Sequence, residues 1–432
     1  MLSIKVSRGK NRIFYILLCL LSTSTFAKVQ KIDLNEVLRE AVNGHPKVLE
    51  IQNIAKASRD VPSRVGSLPD PMLQFTAQNF RTDDFTSDSS PMSALGVGLV
   101  QDLPFPGKLA RKSKVAESNA KTVTEKTRLV KALVIFNLVK AYWNLHFAER
   151  AHVITQENIK IIDILADVAI NRVKVAKVAQ QDAFQAQVAH SKLRAMLIHR
   201  REVLINAKRN LNEAIGRDPE SKIGITKSPP ITDIIEVSSI LSEEVRKSSP
   251  YLKVANLKVE QGKSTLSEAK YDRLPNFKLG VNYKIRDPVP GDKTDGADMV
   301  SIMVGISLPI WMGSKQNARV SENIHKLNAF KQQQRNVDLQ IGTQLKILSE
   351  KISSSNIEIK LYQKEVLPRA NKALSASITD YKRAKVGFVS VVENWNTELD
   401  LQINYEKLLK DRAILISEVE LITGISLRRL GL

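Results

Sequence analysis

Period-two alternation marks two pairs of short segments in a chain that is otherwise patterned as helix. In "ALGVGLVQDL" (94–103), Leu95, Val97, Leu99, Gln101 and Leu103 share one face, and Ala94, Gly96, Gly98, Val100 and Asp102 the other. "FKLGVNYKI" (277–285) alternates Phe277, Leu279, Val281, Tyr283 and Ile285 with Lys278, Gly280, Asn282 and Lys284. "VSIMVGISL" (300–308) does the same with Val300, Ile302, Val304, Ile306 and Leu308, and "LQFTAQNF" (73–80) is the weakest of the four. Such alternation over about ten residues fits a strand of a transmembrane barrel, apolar towards lipid and small or polar towards the lumen. It also fits a soluble antiparallel sheet. The four strands come as two hairpins in a mostly helical chain, each with a polar loop (81–93 and 286–298), and outward loops of that kind favour the barrel. The lipid-facing set is then expected to include Val97, Leu99, Val281, Val304 and Ile306.

The intervening segments are helical. Residues 108–215 contain neither glycine nor proline, and one helix of that length would run about 160 Å at 1.5 Å per residue, so a reversal is expected within it. "YKRAKVGFVSVVENW" (381–395) supplies Gly387 as a turn, and "NRVKVAKVAQQDAFQ" (171–185) has Ala179 at the matching place. Each half then reads as a helix of about 70 residues, a tight turn and a returning helix of about 35. Gly387 is expected at positive φ, and Phe388 beside it at a solvent-facing end. Ile159, Ile162, Ala166, Ala169 and Val173 follow a coiled-coil spacing, with Ile161, Leu165 and Val168 as a second stripe. Ile341, Leu345, Leu348 and Ile352 repeat the seam. A helix with two seams touches neighbours on both sides, although a long soluble coiled-coil rod would carry similar seams. The apolar run 129–147 is interrupted by Lys131, Asn137, Lys140 and Asn144, which makes it a packing segment and not a membrane helix. Pro368 is expected to kink the second long helix.

The halves are copies of one plan. Pro46 pairs with Pro250, Pro69 with Pro275, Pro104 with Pro309 and Gly107 with Gly313, with nearly constant offset. The division expected is residues 1–27, 28–225 and 226–432, the last two being the repeats. Lys5, Arg8, Lys10 and Arg12 before the apolar run 13–21, and the small residues ending at Ala27, read as a secretory signal peptide. Cys19, the one cysteine, lies inside that run, so disulfide and thiolate chemistry is not expected; lipidation at Cys19 is disfavoured because Leu20 and Leu21 continue the apolar core.

The net charge is +20, and removing the four cations of residues 1–27 leaves +16. The cations are scattered among acids without a basic aromatic motif, so nucleic acid is not an expected partner. His45, His146, His152, His190, His199 and His325 are dispersed, and no ligand spacing, triad or phosphate loop stands out. No metal site, cofactor or catalytic residue is expected. Four strands cannot close a barrel and an open edge cannot lie in lipid, so several chains must contribute; three give twelve strands.

The duplicated plan, with "LPDPMLQF" (68–75), "QDLPFPGKLARK" (101–112), "YKRAKVGFVS" (381–390) and "LLKDRAILISEVELITG" (408–424), resembles the TolC family of outer-membrane efflux proteins over about residues 32–424. The "LPFPGK" corner is most similar to the heavy-metal branch, CzcC- and CusC-like. The resemblance implies a mainly α chain with a small transmembrane β part. An α-helical barrel would extend into the periplasm, and four strands per chain would contribute to a 12-stranded trimeric β-barrel in the outer membrane. It implies a homotrimeric, non-enzymatic conduit that docks a periplasmic adaptor and an inner-membrane RND-type pump, with heavy-metal cations as cargo. Drug efflux or type I protein secretion shares that architecture, and a periplasmic structural coiled coil is the rival class. The adaptor-docking tips map to Val178, Ala179 and Gln180, and to Val386, Gly387, Phe388, Val389 and Ser390. Ala179 departs from the glycine usual at this turn. Asp182 is a candidate constriction charge.

Overall fold

A computed structural model describes residues 31–83, 85–174, 179–227, 243–293 and 295–426. The expected signal peptide, Cys19 and Val178 lie outside the described residues.

The first half opens with β1 (Lys31–Ile32), α1 (Leu34–Gly44) and α2 (Pro46–Gly66). Asp33 caps α1 by accepting from the Asn35 N–H at 2.9 Å, which satisfies one of the unpaired donors of a helix start. A hairpin follows, β2 (Met72–Gln78) and β3 (Ala94–Leu103), then α3 (Lys108–Lys174), α4 (Gln180–Ile215) and β4 (Ile225–Thr226). The second half repeats the order with α5 (Glu243–Ser248), α6 (Pro250–Tyr271), β5 (Phe277–Ile285), β6 (Met299–Ile306), α7 (Gln316–Leu361), α8 (Leu367–Lys382) and α9 (Phe388–Thr423). The short β1 pairs in parallel with β4. Tyr142 on α3 fixes this clasp, its hydroxyl donating to the backbone oxygens of Ile32 (2.9 Å) and Lys227 (2.7 Å).

The expected bend at Pro368 takes the form of a π turn. Tyr362–Val366 winds as π-helix between α7 and α8, and the Leu367 N–H donates to the Tyr362 oxygen. Proline has no N–H for the ladder and its ring crowds the preceding turn; one wider turn just before it accommodates both defects without breaking the rod.

Two apolar clusters fill α3 on successive stretches, and both stripes, from Ile159 to Ala169, fall in the second. The first gathers Leu34, Leu38, Val134, Leu138, Tyr142, Leu145, Leu211 and Ile215, so the 129–147 run is buried between helices. Among the described residues no helix is long and apolar enough to cross a membrane. The second cluster, towards the helical tips, joins Ile162, Leu165, Ala169, Ala186, Leu193, Leu374 and Trp395. A third uses the seam Ile341, Leu345, Leu348 and Ile352 of α7 against Ile416 and Val419 of α9.

The duplication has a physical signature at the junction of returning and opening helices. Gly216 closes α4 at φ +95°, and a Cβ there would stand 2.9 Å from Pro46 Cδ; Gly424 closes α9 at φ +70°, 2.9 Å from Pro250 Cδ. A left-handed backbone and a proline ring at that distance both require glycine. The Gly107 and Gly313 pairing is looser, since only Gly107 has a positive φ. We expect Gly424→Ala to destabilise the fold by at least about 1–2 kcal/mol, from the left-handed conformation alone. It should lower the thermal midpoint, whereas Gly313→Ala, with open space around it, should leave the midpoint unchanged.

Candidate functional site: a two-faced sheet and the helical tips

The four long strands form one antiparallel sheet in the order β2-β3-β5-β6. Its registers align the apolar positions row by row: Phe75 opposite Val97, Leu99 opposite Val281, and Val281 opposite Ile302. One face therefore carries Leu73, Phe75, Leu95, Val97, Leu99, Leu279, Val281, Tyr283, Val300, Ile302, Val304 and Ile306, all exposed. The other carries Gln74, Thr76, Gly96, Gly98, Gly280, Asn282, Lys284, Ser301 and Gly305, with Val100, Met299 and Met303 among them. Small residues there are needed for packing: a Cβ on Gly96 would meet the Thr76 hydroxyl at 2.5 Å and Asn282 Oδ1 at 2.8 Å. The five residues expected to face lipid, Val97, Leu99, Val281, Val304 and Ile306, all lie on this exposed apolar face.

At one end of the sheet the two loops are tied together. Arg286 and Asp292 pair at 2.5 Å with side chains only 4% and 9% exposed. The Arg286 guanidinium also donates to the Pro91 oxygen, and the Ser87 hydroxyl donates to Asp287. At the other end "LPFPGK" forms a packed corner. Phe105 stacks on Phe277 with ring centroids 6.2 Å apart, and Lys108 donates to the Leu274 oxygen (2.7 Å) and Asn276 Oδ1 (2.8 Å).

At the opposite pole Gln180 and Val389 line one groove, Val386 and Phe388 share the tip cluster, and Ala179 and Gly387 are the residues before α4 and α9, but two expectations need correcting. Gly387 is extended (φ −74°, ψ 161°) as the residue before α9. The left-handed residue is Ala384 (φ 61°), where the Lys385 N–H reaches back to the Asp380 oxygen at 2.9 Å. Helix α8 thus ends at Lys382 and the chain turns at Ala384, three residues before the glycine, which leaves Gly387 an ordinary extended position. Phe388 is fully buried: its ring meets Tyr381 edge-on at 5.3 Å within the tip cluster. As the first residue of α9 it points inward, between helices, and offers no apolar anchor to a partner.

The exposed apolar residues are Val389, Phe184 and Val188. They line a groove of about 750 Å³ between α4 and α9, together with Gln180, Gln181, Lys192, Glu393 and Asn396. Phe184 and Val188 carried no mark in the sequence reading; an aromatic and a valine four apart, among the glutamines, alanines and Asp182 that open α4, were the available signal. Asp182 lies in the first turn of α4, where a negative charge suits the helix dipole. It is engaged within its own chain, accepting from the Tyr381 hydroxyl at 3.3 Å. The Arg172 guanidinium lies 4.9 Å above the Tyr381 ring and donates to the Tyr381 backbone oxygen. Burial and the adjacent Asp182 carboxylate push the Tyr381 phenol up to about 12, so it stays protonated as the donor at neutral pH. One residue of α8 thereby joins the two hairpins through Arg172, Asp182 and Phe388.

The histidines are used locally. His146 Nδ1 is 2.8 Å from the Thr226 hydroxyl and His190 Nε2 is 3.1 Å from Asp163. Among the described residues no group of three or more His, Cys, Asp or Glu could hold a metal ion.

Phe388→Ala should cost about 3–5 kcal/mol locally, the range for emptying a buried aromatic site. The expected readout is faster amide exchange in α8 and α9 at the tip, with the α3 core near Tyr142 unchanged. Tyr381→Phe, which removes only the hydroxyl, should shift tip exchange by no more than about 1–2 kcal/mol.

Residues 63–217 match the family model described as outer membrane efflux protein. No relative among the curated proteins matches the chain. Among solved structures, the outer membrane protein VceC of Vibrio cholerae is similar with a TM-score of 0.74 at 14% identity, covering 91% of this chain and 97% of that one. The open state of the Neisseria gonorrhoeae MtrE outer membrane channel gives 0.74 at 15%, covering 92% and 90%, and CusC gives 0.73 at 15%, covering 90% and 91%. At such identities the likeness speaks for the fold, and it is as close to VceC and MtrE as to CusC. Residues 63–217 are thus similar to the outer membrane efflux family, and the fold is shared with these channel structures along about nine-tenths of the chain.

Proposed function

We propose that the protein is the outer-membrane channel-tunnel of a tripartite efflux system, a homotrimeric passive conduit whose helical part extends into the periplasm. The carrying observation is the sheet with one continuous exposed apolar face, one small and polar face, and two open edges. A soluble sheet would cover its apolar face, whereas lipid satisfies it directly. The same face counts against the periplasmic coiled-coil reading, which gives the hairpins no role. The two repeats, 28–225 and 226–432, then each supply one hairpin to the wall.

At the tips, the groove lined by Phe184, Val188 and Val389 is the surface offered to a periplasmic adaptor, which in turn engages an inner-membrane pump of the RND type. It replaces Phe388 as the expected apolar contact, while Gln180 and Val389 keep their places in it. Heavy-metal cations are the expected cargo on the resemblance of the "LPFPGK" corner. That corner is occupied with packing through Phe105 and Lys108, so it supports the metal branch only as a family mark. Drug efflux or protein secretion through the same architecture is the alternative.

Three outcomes check these readings. Val304→Arg should abolish assembly in the outer membrane, since a cation facing mid-membrane lipid costs about 2–4 kcal/mol, while Gly305→Ser on the polar face should assemble normally. Val389→Asp should leave the heat-resistant oligomer intact and lose export, because it places charge in a contact meant to be dry; normal export would move docking elsewhere on the helices. A deletion strain should become sensitive to metal salts; sensitivity to dyes and antibiotics alone would assign the cargo to drugs.

A further inference from the structure

Charge separates between the two poles of the molecule. The helical tips, residues 172–182 and 380–390, hold six cations (Arg172, Lys174, Lys177, Lys382, Arg383 and Lys385) against two carboxylates (Asp182 and Asp380), a net of +4 (6 − 2). The two loops at the far end of the sheet, 81–93 and 286–298, hold seven aspartates against Arg81, Arg286 and Lys293, a net of −4 (3 − 7). That acidity runs against a chain whose net charge is +16 without residues 1–27. Lys177 and Asp84 lie outside the described residues.

Pairing within each end leaves these charges uncancelled. At the tips Asp182 accepts from the Tyr381 hydroxyl, and Arg172 lies over the Tyr381 ring. Lys174, Lys382, Arg383 and Lys385 are exposed. Asp163 meets His190 and Glu365 pairs with Arg369, so those four cations are left without an ion pair among the described residues. In the loops Arg286 is taken by Asp292 and Arg81 by Asp83, while Asp88, Asp287, Asp295 and Asp298 are exposed. Between the two ends the polar face of the sheet is nearly neutral. Asp102 and Lys278 pair across β3 and β5 at 3.4 Å, and Lys284 is the charge that remains on it.

Resting on the channel reading above, in which the tips open to the periplasm and the loops to the outside, we propose that the conduit is a charge-asymmetric pore that rectifies ion flow in favour of anions moving outward. In three copies the two ends carry +12 and −12 (3 × 4). A ring of Lys and Arg favours anions and a ring of Asp favours cations, and low-dielectric walls focus such fields in a narrow opening. A field that drives anions in at the tips also draws cations in at the loops, so the pore fills with carriers from both ends. The opposite field empties it. The fixed charges supply no driving force; they set which direction conducts. The cargo this suits carries net negative charge. A bare metal cation is repelled at the tips, so a metal would cross as an anionic complex.

Single-channel current tests the asymmetry, with the full oligomer extracted from outer membranes and added to one side of a planar bilayer, where the polar helical part stays. In about 0.01 M KCl screening extends about 30 Å, and current should be larger by at least about twofold for the polarity that moves chloride from tips to loops. In about 1 M KCl, with screening cut to about 3 Å, the two polarities should converge. Combining Lys382→Glu, Arg383→Glu and Lys385→Glu takes the tips from +4 to −2 (4 − 6). It should abolish the asymmetry and leave a cation preference in a KCl gradient. Should that variant not assemble, Asp287→Asn with Asp295→Asn, which takes the loops from −4 to −2, should reduce the current ratio instead. Equal currents in low salt, asymmetry of the opposite sense, or a ratio that tip and loop variants leave unchanged would overturn the proposal while the channel reading stands. A membrane-inserted protein that passes no current, either as the parent or as Tyr381→Phe with its tie between the tips weakened, would overturn the channel reading as well.

Discussion

Backbone hydrogen bonding at the two edges of a four-stranded sheet is the constraint on which this architecture depends. Lipid offers no partner to an open row of N–H and C=O groups, and β2 and β6 each carry such a row. The exposed face, with Phe75, Val97, Val281 and Val304 outward, removes water as an alternative, because so large an apolar surface is unfavourable in contact with it. Completion by other strands answers both constraints, and among its described residues the chain has no further long strand.

The helical part follows from the same duplication. Two equivalent units, each closed by a left-handed glycine against a proline ring at Gly216 and Pro46 and at Gly424 and Pro250, place two hairpins side by side and two long helix pairs beneath them. The helices carry apolar stripes on more than one face, so packing continues sideways from α3 to α4 and α9. Tyr381 ties the far ends of the two pairs through Asp182 and Arg172. The open tip groove lined by Phe184, Val188 and Val389 then remains as apolar surface at the helical tips.

Much of this was legible in the sequence, because strands and long helices write their periods directly. The limits 94–103 and 277–285 are those observed. The weaker first strand runs Met72–Gln78 and not to residue 80, since Asn79 turns to positive φ there. The last strand ends at Ile306, where the Ser307 N–H turns to the Asn276 oxygen. Of the first seam Ile162 and Ala169 are buried, with Ile159 and Ala166 half-buried; of the stripe beside it Leu165 is buried, and Ile341, Leu345, Leu348 and Ile352 of the second seam are all buried.

What sequence could not supply were placements decided by distant residues. Phe388 reads as an exposed helix start, and only Tyr381, with the α3 side chains across the tip, makes its position a buried one. Gly387 reads as the turning residue, yet the turn falls on Ala384 because the preceding helix ends earlier. Amide exchange of the membrane-inserted protein tests the central claim most directly. Completed edges predict that β2 and β6 amides, Phe75 and Val304 among them, are protected to the same degree as those of β3 and β5. Rapid exchange along β2 and β6, with β3 and β5 protected, would show edges open to water and contradict closure of the sheet by further chains.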